Sequence, residues 1–158
     1  MHSVFSWRLR QIAIAAAVAT FSTNAMASEI SLQEINIQLF YATTGTLSKN
    51  IGSPSQFNAW NTIIGEGDAA EPASDLLVTV RLVAQKDEAN SMVPLNILVK
   101  SENGKILGQR KIKNLFLKGG RSIQAVFVPN ATCAGHLTVE AVFGPEKKST
   151  SIDLNCGE

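Results

Sequence analysis

The chain lacks the residues and motifs on which most small hydrolases and nucleotide-binding enzymes depend. Its 158 residues include only two histidines and two cysteines. It contains neither a P-loop nor the G-x-S-x-G elbow that presents a nucleophilic serine. Only His136 lies beyond the first 27 residues, so a Ser-His-Asp or Cys-His mechanism would have to pass through that single ring. Nucleophilic hydrolysis and phosphate chemistry are therefore disfavoured.

Long apolar runs are also scarce, and the clearest one lies near the beginning of the sequence. Two arginines precede an apolar segment at 12–21, and the sequence Ala-Met-Ala follows and ends at residue 27. A membrane-spanning helix needs roughly 20 apolar residues, about twice what this segment offers. Its flanks are typical of a secretory signal peptide with an A-x-A cleavage site. We expect residues 1–27 to be removed, and residues 28–158 to fold as one exported domain that spans no membrane, in the periplasm or outside a bacterial cell.

Net charge after the leader is too small to indicate nucleic acid or membrane binding. Residues 28–158 carry 12 basic and 13 acidic side chains, which gives a net charge of about −1. The two signs are nevertheless segregated along the chain. Nine acids and four bases lie in residues 28–102, whereas eight bases and four acids lie in residues 103–158.

Apolar residues recur at every second position in five segments, which is the spacing of half-buried β-strands. The repeating residues are Ile35, Ile37, Leu39 and Tyr41; Leu76, Val78, Val80 and Leu82; Leu95, Ile97 and Val99; Ile123, Ala125 and Phe127; and Leu137, Val139, Ala141 and Phe143. Between such segments, Asn103-Gly104 and Gly119-Gly120 predict tight hairpin turns. The pattern predicts an all-β fold, an antiparallel β-sandwich that is immunoglobulin-like in architecture. A small closed β-barrel is the alternative, because periodicity does not reveal closure.

Two cysteines, Cys133 and Cys156, flank one complete strand pattern and part of the next. In an oxidising compartment this spacing predicts a disulfide bond, which would stabilise the fold by about 3 kcal/mol in the chain-entropy model. The other interpretation makes Cys133, His136 and Cys156 metal ligands, but it lacks a fourth ligand. We therefore predict a disulfide and no metal at this site.

The sequence NTIIGEGDAAEPASD at residues 61–75 is rich in acidic side chains, namely Glu66, Asp68, Glu71 and Asp75. Several carboxylates on one loop could hold calcium, although the EF-hand order of ligands is missing. A solvated connecting loop and a partner-binding loop are the alternatives, because glycine and proline at these positions also suit a plain connection. Calcium is the only cofactor that the sequence brings into consideration.

Aromatic residues make up only 6% of the chain, and two of them, Phe57 and Trp60, lie just before this acidic loop. One interpretation is that both rings anchor the loop on the core. The other is that they form an exposed platform for a sugar or a peptide.

A basic stretch follows in the second half of the chain, since no acidic residue occurs between Glu102 and Glu140. Its basic residues are Lys105, Arg110, Lys111, Lys113, Lys118 and Arg121. They can form a solvated edge that discourages strand-to-strand aggregation. They can also form a patch for an anionic partner: a polysaccharide, lipid head groups, an acidic protein, or the acidic loop of another copy. Aromatic residues do not alternate with the bases, so nucleic acid is disfavoured.

These features favour a non-catalytic, exported binding or structural module. Its recognition surface would be the 44–75 loop region or the basic 105–121 hairpin, and its partner a protein or a polysaccharide. A small secreted hydrolase that uses two converging carboxylates is one alternative. Another is a subunit or chaperone-like protein that pairs through an edge strand, with its own copies or with a partner.

Overall fold

The computed structural model describes residues 29–157, so the predicted leader and its cleavage point lie outside the described residues. The described part contains ten β-strands and one short 3-10 turn, Thr62–Ile64. The strands are β1 (Ile30–Tyr41), β2 (Thr46–Leu47), β3 (Asp75–Ala84), β4 (Glu88–Ser91), β5 (Leu95–Ser101), β6 (Ile106–Ile112), β7 (Leu115–Lys118), β8 (Arg121–Val128), β9 (Gly135–Phe143) and β10 (Glu146–Leu154). None of the helical structure within residues 29–157 has the length and apolar composition of a membrane-spanning segment.

The strands form two antiparallel sheets. Sheet 1 has the order β2-β1-β3-β8-β7-β4, and sheet 2 has the order β10-β9-β5-β6. Strands β1, β3, β8 and β7 follow the order A-B-E-D of an immunoglobulin domain, and the strands of sheet 2 follow the order G-F-C-C′. The predicted immunoglobulin-like sandwich is confirmed. The β-barrel alternative is wrong, because each sheet ends in two edge strands instead of closing on itself.

The core between the sheets confirms four of the five predicted alternations. Leu76, Val78, Val80 and Leu82 of β3 are fully buried, and the alternating residues of β5 and β9 face them from sheet 2. In β1 the alternation holds from Ile37 onward, while Ile35 is partly buried. A shift of one residue in any of these strands would turn its apolar face to solvent, so the pattern fixes the register of the sandwich.

The fifth alternation, in β8, predicted the wrong buried face. Val126 and Val128 point into the core, whereas Ile123 is 58% exposed and Phe127 is 48% exposed. The strand is apolar on both sides, so alternation could not choose between them. Pairing with β3 decides the outcome, because Val126 lies opposite the buried Val78 and Ile123 lies opposite the charged Arg81.

Strands β6 and β7 lie in different sheets although only two residues separate them. β6 pairs with β5 in sheet 2, and β7 pairs with β4 in sheet 1, so the chain changes sheets at residues 113–114. β6 also packs across β8. A Cβ atom on Gly108 would lie 3.0 Å from side-chain carbons of Val126 and Val128. Arg110 Nη1 donates to the backbone oxygen of Ala125 (2.8 Å), which ties the two sheets together on this side.

The two predicted hairpin turns form, with different geometries. Gly119 and Gly120 both have positive φ, and Lys118 lies directly opposite Arg121. In the other turn only Gly104 has positive φ, and its N–H donates to Ser101 O. That hairpin is therefore wider than the two-residue turn that Asn-Gly predicted.

The predicted disulfide bond between Cys133 and Cys156 is confirmed, with the Cα atoms 5.2 Å apart. It joins the segment before β9 to the segment after β10. Neither of these cysteines lies in β3, and their bond does not join the two sheets. The conserved disulfide of antibody domains does join the two sheets.

Candidate recognition surfaces

The acidic residues of the 61–75 loop make separate hydrogen bonds and do not converge on one point. Glu66 Oε2 accepts a hydrogen bond from Asn61 Nδ2 (2.7 Å), and Asp68 Oδ2 accepts one from the Asn58 N–H (2.8 Å). Asp75 Oδ1 accepts from the Asn130 N–H (2.9 Å) in another loop. Among residues 29–157, no group of three His, Cys, Asp or Glu side chains is arranged to hold a metal ion. The calcium site stays a prediction to which these contacts add no support.

The fourth carboxylate, Glu71, is partly buried, and one of its oxygens makes no hydrogen bond within the described residues. It lies beside the glycine turn, because a Cβ atom on Gly65 would lie 3.5 Å from the Glu71 carbonyl carbon. Glu71 thus belongs to the inner side of the loop, whereas Glu66 and Asp68 are exposed.

The long connection at 48–74 has a fixed backbone although it contains almost no regular structure. Ile51 N–H donates to Ile37 O (2.8 Å) at its beginning, and Asn61 N–H donates to Asn155 O (2.6 Å) near its middle. Ala73 N–H donates to Thr62 O (2.9 Å), and both of these residues are buried. Long ordered loops of this kind are usually functional rather than plain connections.

This loop exposes three large apolar side chains, Trp60, Ile63 and Ile64, which we call the loop apex. Trp60 is 46% exposed and Ile64 is 61% exposed. Phe57 is partly buried and packs against the core, so the two aromatic residues singled out in the sequence have different surroundings. The isoleucines were missed because they follow no strand alternation. The available signal for an exposed apolar surface was the pair of adjacent isoleucines, Ile63 and Ile64, within a loop.

The basic residues of the 105–121 stretch do not form one patch, because the chain changes sheets in the middle of the stretch. Lys111 lies opposite Asn96 in sheet 2, Arg110 bonds to Ala125 at the side of the sandwich, and Lys113 lies at the change of sheet. Lys105 lies in the turn between β5 and β6. Only Lys118 and Arg121 lie together, on the β7–β8 hairpin of sheet 1.

The outer face of sheet 1 is unexpectedly apolar along its middle. Leu77 lies opposite Phe127 and Thr79 lies opposite Ala125, while the Phe40 ring meets the Phe127 ring edge to face with centroids 5.7 Å apart. We call the apolar side chains of this face the apolar strip: Phe40, Leu77, Phe116, Ile123, Ala125 and Phe127. Phe116, Ile123 and Phe127 are the most exposed of them.

A groove of about 560 Å³ continues the apolar strip toward the β7–β8 hairpin. Val83, Ala84 and Ile123 contribute its apolar lining. Its cations come from three parts of the chain, Arg81 from β3, Lys86 from the β3–β4 loop and Arg121 from β8, and Asp87 is the one acidic residue of its lining. We call this concavity the basic groove. Sequence reasoning found Arg121 but not Arg81 or Lys86, which lie far from the basic stretch.

Arg121 is the cation of the basic groove that the fold leaves unpaired. Arg81 approaches Glu34 (3.7 Å), Lys86 pairs with Glu29 (3.0 Å), and Lys118 lies opposite Glu88 in the sheet register. Arg121 forms no ion pair within residues 29–157. Its nearest charged neighbours in the sheet register are cations: Lys118 lies directly across from it, and Arg81 lies on the diagonal. Like charges at such spacing repel, so an incoming carboxylate would be attracted to this guanidinium.

The outer face of sheet 2 carries His136, the residue on which a hydrolytic triad would depend. Its Nδ1 lies 2.7 Å from Asp153 Oδ1 across β9 and β10. Thr138 and Ser151 face one another in the adjacent register row, but neither hydroxyl bonds to the ring among the described residues. Among the described residues His136 and Asp153 form an exposed cross-strand pair, and Ser149, Thr150 and Ser151 line the same shallow concavity as His136.

Glu140 on the same face is held between two lysines. Lys147 Nζ lies 2.8 Å from one of its carboxylate oxygens, and Lys100 Nζ lies 2.9 Å from the other. The hydrogen bonds from Lys147 and then Lys100 stabilise the ionised form and lower the pKa of Glu140.

This pairing predicts a pH dependence of stability. Because the folded-state pKa is lowered, ionised Glu140 stabilises the fold above the ordinary glutamate pKa of about 4.3, and the contribution is lost as pH falls through the folded value. We expect Glu140→Gln to lower the free energy of unfolding by up to about 1 kcal/mol at neutral pH. Urea unfolding across a pH series should show the variant and the wild type converging in acid. A gap that stays constant with pH would contradict this account, and Glu102→Gln is the matched control.

Comparison with known proteins adds only a likeness of fold. No protein-family model matches the chain, and no curated protein matches it. The C-terminal domain of wzt is similar at 15% identity and a TM-score of 0.41, over 82% of this chain and 74% of that chain. A β-glucuronidase from glycoside hydrolase family 2 is similar at 12% identity and a TM-score of 0.37, over 51% of this chain and 10% of that chain. This chain thus spans about a tenth of the β-glucuronidase. Likenesses at this level carry no argument about activity.

Proposed function

We propose that this protein is a non-catalytic binding domain that recognises a partner protein with the outer face of sheet 1. The observation that carries the proposal is the apolar strip, in which Ile123 and Phe127 are about half exposed on a face that a solvated sheet would fill with polar side chains. Strand β8 is apolar on both sides, which is typical of a strand that is covered on both sides, and Leu77 and Val83 of β3 lie on the same outer face. A bound partner would cover the outer face of sheet 1.

The chemistry of this surface suits a protein better than a polysaccharide. Aromatic and arginine side chains are the residues that contribute most binding energy in protein interfaces, and Phe116, Phe127 and Arg121 lie here together. A polysaccharide offers mainly hydroxyl groups, and the side chains of the apolar strip make no hydrogen bonds. The basic groove lies at one end of this surface, so a charged contact there would fix the orientation of a bound partner.

Export fits this proposal through the disulfide bond. Cystine persists in the periplasm and outside the cell but is rare in the cytosol. The Cys133–Cys156 bond is compatible with the proposed export, and the partner that we propose would occupy the same oxidising compartment.

Site-specific photo-crosslinking in the cells that make the protein tests the proposed surface. A benzophenone amino acid at Ile123 or Phe127 should crosslink to a protein within reach of the apolar strip. The same amino acid at Gln109, in β6 of sheet 2, is the matched control. We expect discrete crosslinked species from Ile123 and Phe127 and none from Gln109. No crosslink from the strip, or the same species from all three sites, would overturn the proposal.

A further inference from the structure

The two ends of the sandwich expose apolar side chains next to charges of opposite sign. The loop apex lies at the end where β3 begins, since Thr62 bonds to Ala73 just before Asp75. The basic groove lies where β3 ends, around Ala84. The ten residues of β3 separate these ends by about 30 Å. The two surfaces of one molecule cannot meet each other.

The flanking charges differ as well, although carboxylates that include Asp87 also lie at the end of the basic groove. Glu66 and Asp68 are exposed beside the loop apex, and no lysine or arginine occurs between residues 50 and 80. At the other end Arg121 has no carboxylate partner among the described residues, and no acidic residue occurs between residues 103 and 139. The loop apex offers apolar side chains with carboxylates, and the basic groove offers an apolar lining with an unpaired guanidinium.

We propose that the partner of the basic groove is the loop apex of a second copy of this chain. Trp60, Ile63 and Ile64 of one copy pack against Val83, Ala84 and Ile123 of the next, and Glu66 or Asp68 binds Arg121. The inference rests on the proposed function, because it uses the same face, and it adds the identity of the partner. Its basis is the complementarity of both charge and apolar character.

The fixed backbone of the loop favours this contact. Asn61 is bonded to Asn155, and Asp68 is bonded to Asn58 through both its N–H and its side chain. An ordered loop loses little conformational entropy on binding. Because the two surfaces differ and lie at opposite ends, the contact is heterologous and each copy can bind two neighbours. The product is a linear or helical array rather than a closed dimer.

Sedimentation of four proteins and one mixture tests the inference. We expect the disulfide-bonded wild type to form dimers, trimers and longer species as its concentration rises, and to lose them at high salt. Arg121→Glu removes the unpaired cation of the basic groove, and W60A/I64S removes two apolar side chains of the loop apex. Each variant should therefore be monomeric at concentrations at least tenfold above those at which the wild type associates. An equimolar mixture of the two should form a dimer and nothing larger, because only one intact contact remains. Dimer formation also shows that both variants are folded.

Lys105→Glu makes the same charge change away from the basic groove and should associate like the wild type. A wild type that stays monomeric, variants that still form long species, or a mixture that forms no dimer would each overturn the head-to-tail contact. Crosslinks from Ile123 to a different protein, with a monomeric wild type, would overturn this inference and leave the proposed function intact. The absence of any crosslink would remove the proposed function itself.

Discussion

Replacing Cys133 and Cys156 with serine is expected to lower the free energy of unfolding by about 3 kcal/mol. The bond closes a stretch with a sequence separation of 23, and its removal frees that stretch in the unfolded chain. Urea unfolding of the double variant measures the change. A reductant should bring the wild type to the stability of the variant and leave the variant itself unaffected.

The disulfide bond should also affect the loop apex. Cys156 follows Asn155, whose carbonyl oxygen accepts the Asn61 N–H, and Trp60 forms an isolated bridge with Asn155. We expect the double cysteine variant to show stronger quenching of Trp60 fluorescence by acrylamide. Unchanged stability, within about 0.5 kcal/mol, would show that the bridge does not hold this end of the sandwich together.

Replacing Gly67 with alanine is expected to destabilise the protein by at least about 2 kcal/mol. Gly67 has φ +67°, and a Cβ atom there would lie 2.3 Å from Asn58 O and 3.0 Å from Trp60 O. Both neighbours are backbone atoms, so the loop would have to move and its hydrogen bonds between Asn58 and Asp68 would be lost. Thermal and urea unfolding measure the stability, and Trp60 fluorescence reports the local change.

Gly45 provides a matched control for this prediction. It has nearly the same φ, +70°, but a Cβ atom there would have no atom within 4 Å. Gly45→Ala should therefore show only the conformational cost of a left-handed residue, about 1 kcal/mol. Equal effects at the two positions would contradict the close packing of the loop around Gly67.

The strand pattern was sufficient for the fold because most strands are apolar on one face only. In β3, β5 and β9 the alternating residues could bury only one way. In β8 both faces are apolar, and the choice between Val126 and Phe127 depends on the register with β3, which no local pattern contains. The error in β8 therefore marks the surface on which the proposed function depends.

The candidate sites were less predictable because they combine residues that are distant in sequence. Arg81 and Lys86 join Arg121 in the basic groove only through the pairing of β3 with β8. Lys111 and Lys118 are separated because the chain changes sheets between them. Trp60 could be singled out by its residue type, whereas the exposure of Ile64 depends on the fold of the whole loop.

Hydroxyl-radical footprinting tests most directly whether a protein covers the outer face of sheet 1. The labelling of Phe116 and Phe127 would be compared, by mass spectrometry, between dilute purified protein and the protein in the cells that make it. Met92 is 78% exposed and lies in the connection between β4 and β5, outside the paired strands, so it serves as the internal control. We predict that both phenylalanines are labelled in the dilute protein and protected in the cell, while Met92 is labelled equally in both. Equal labelling of Phe116 and Phe127 in the two settings would contradict a covered face.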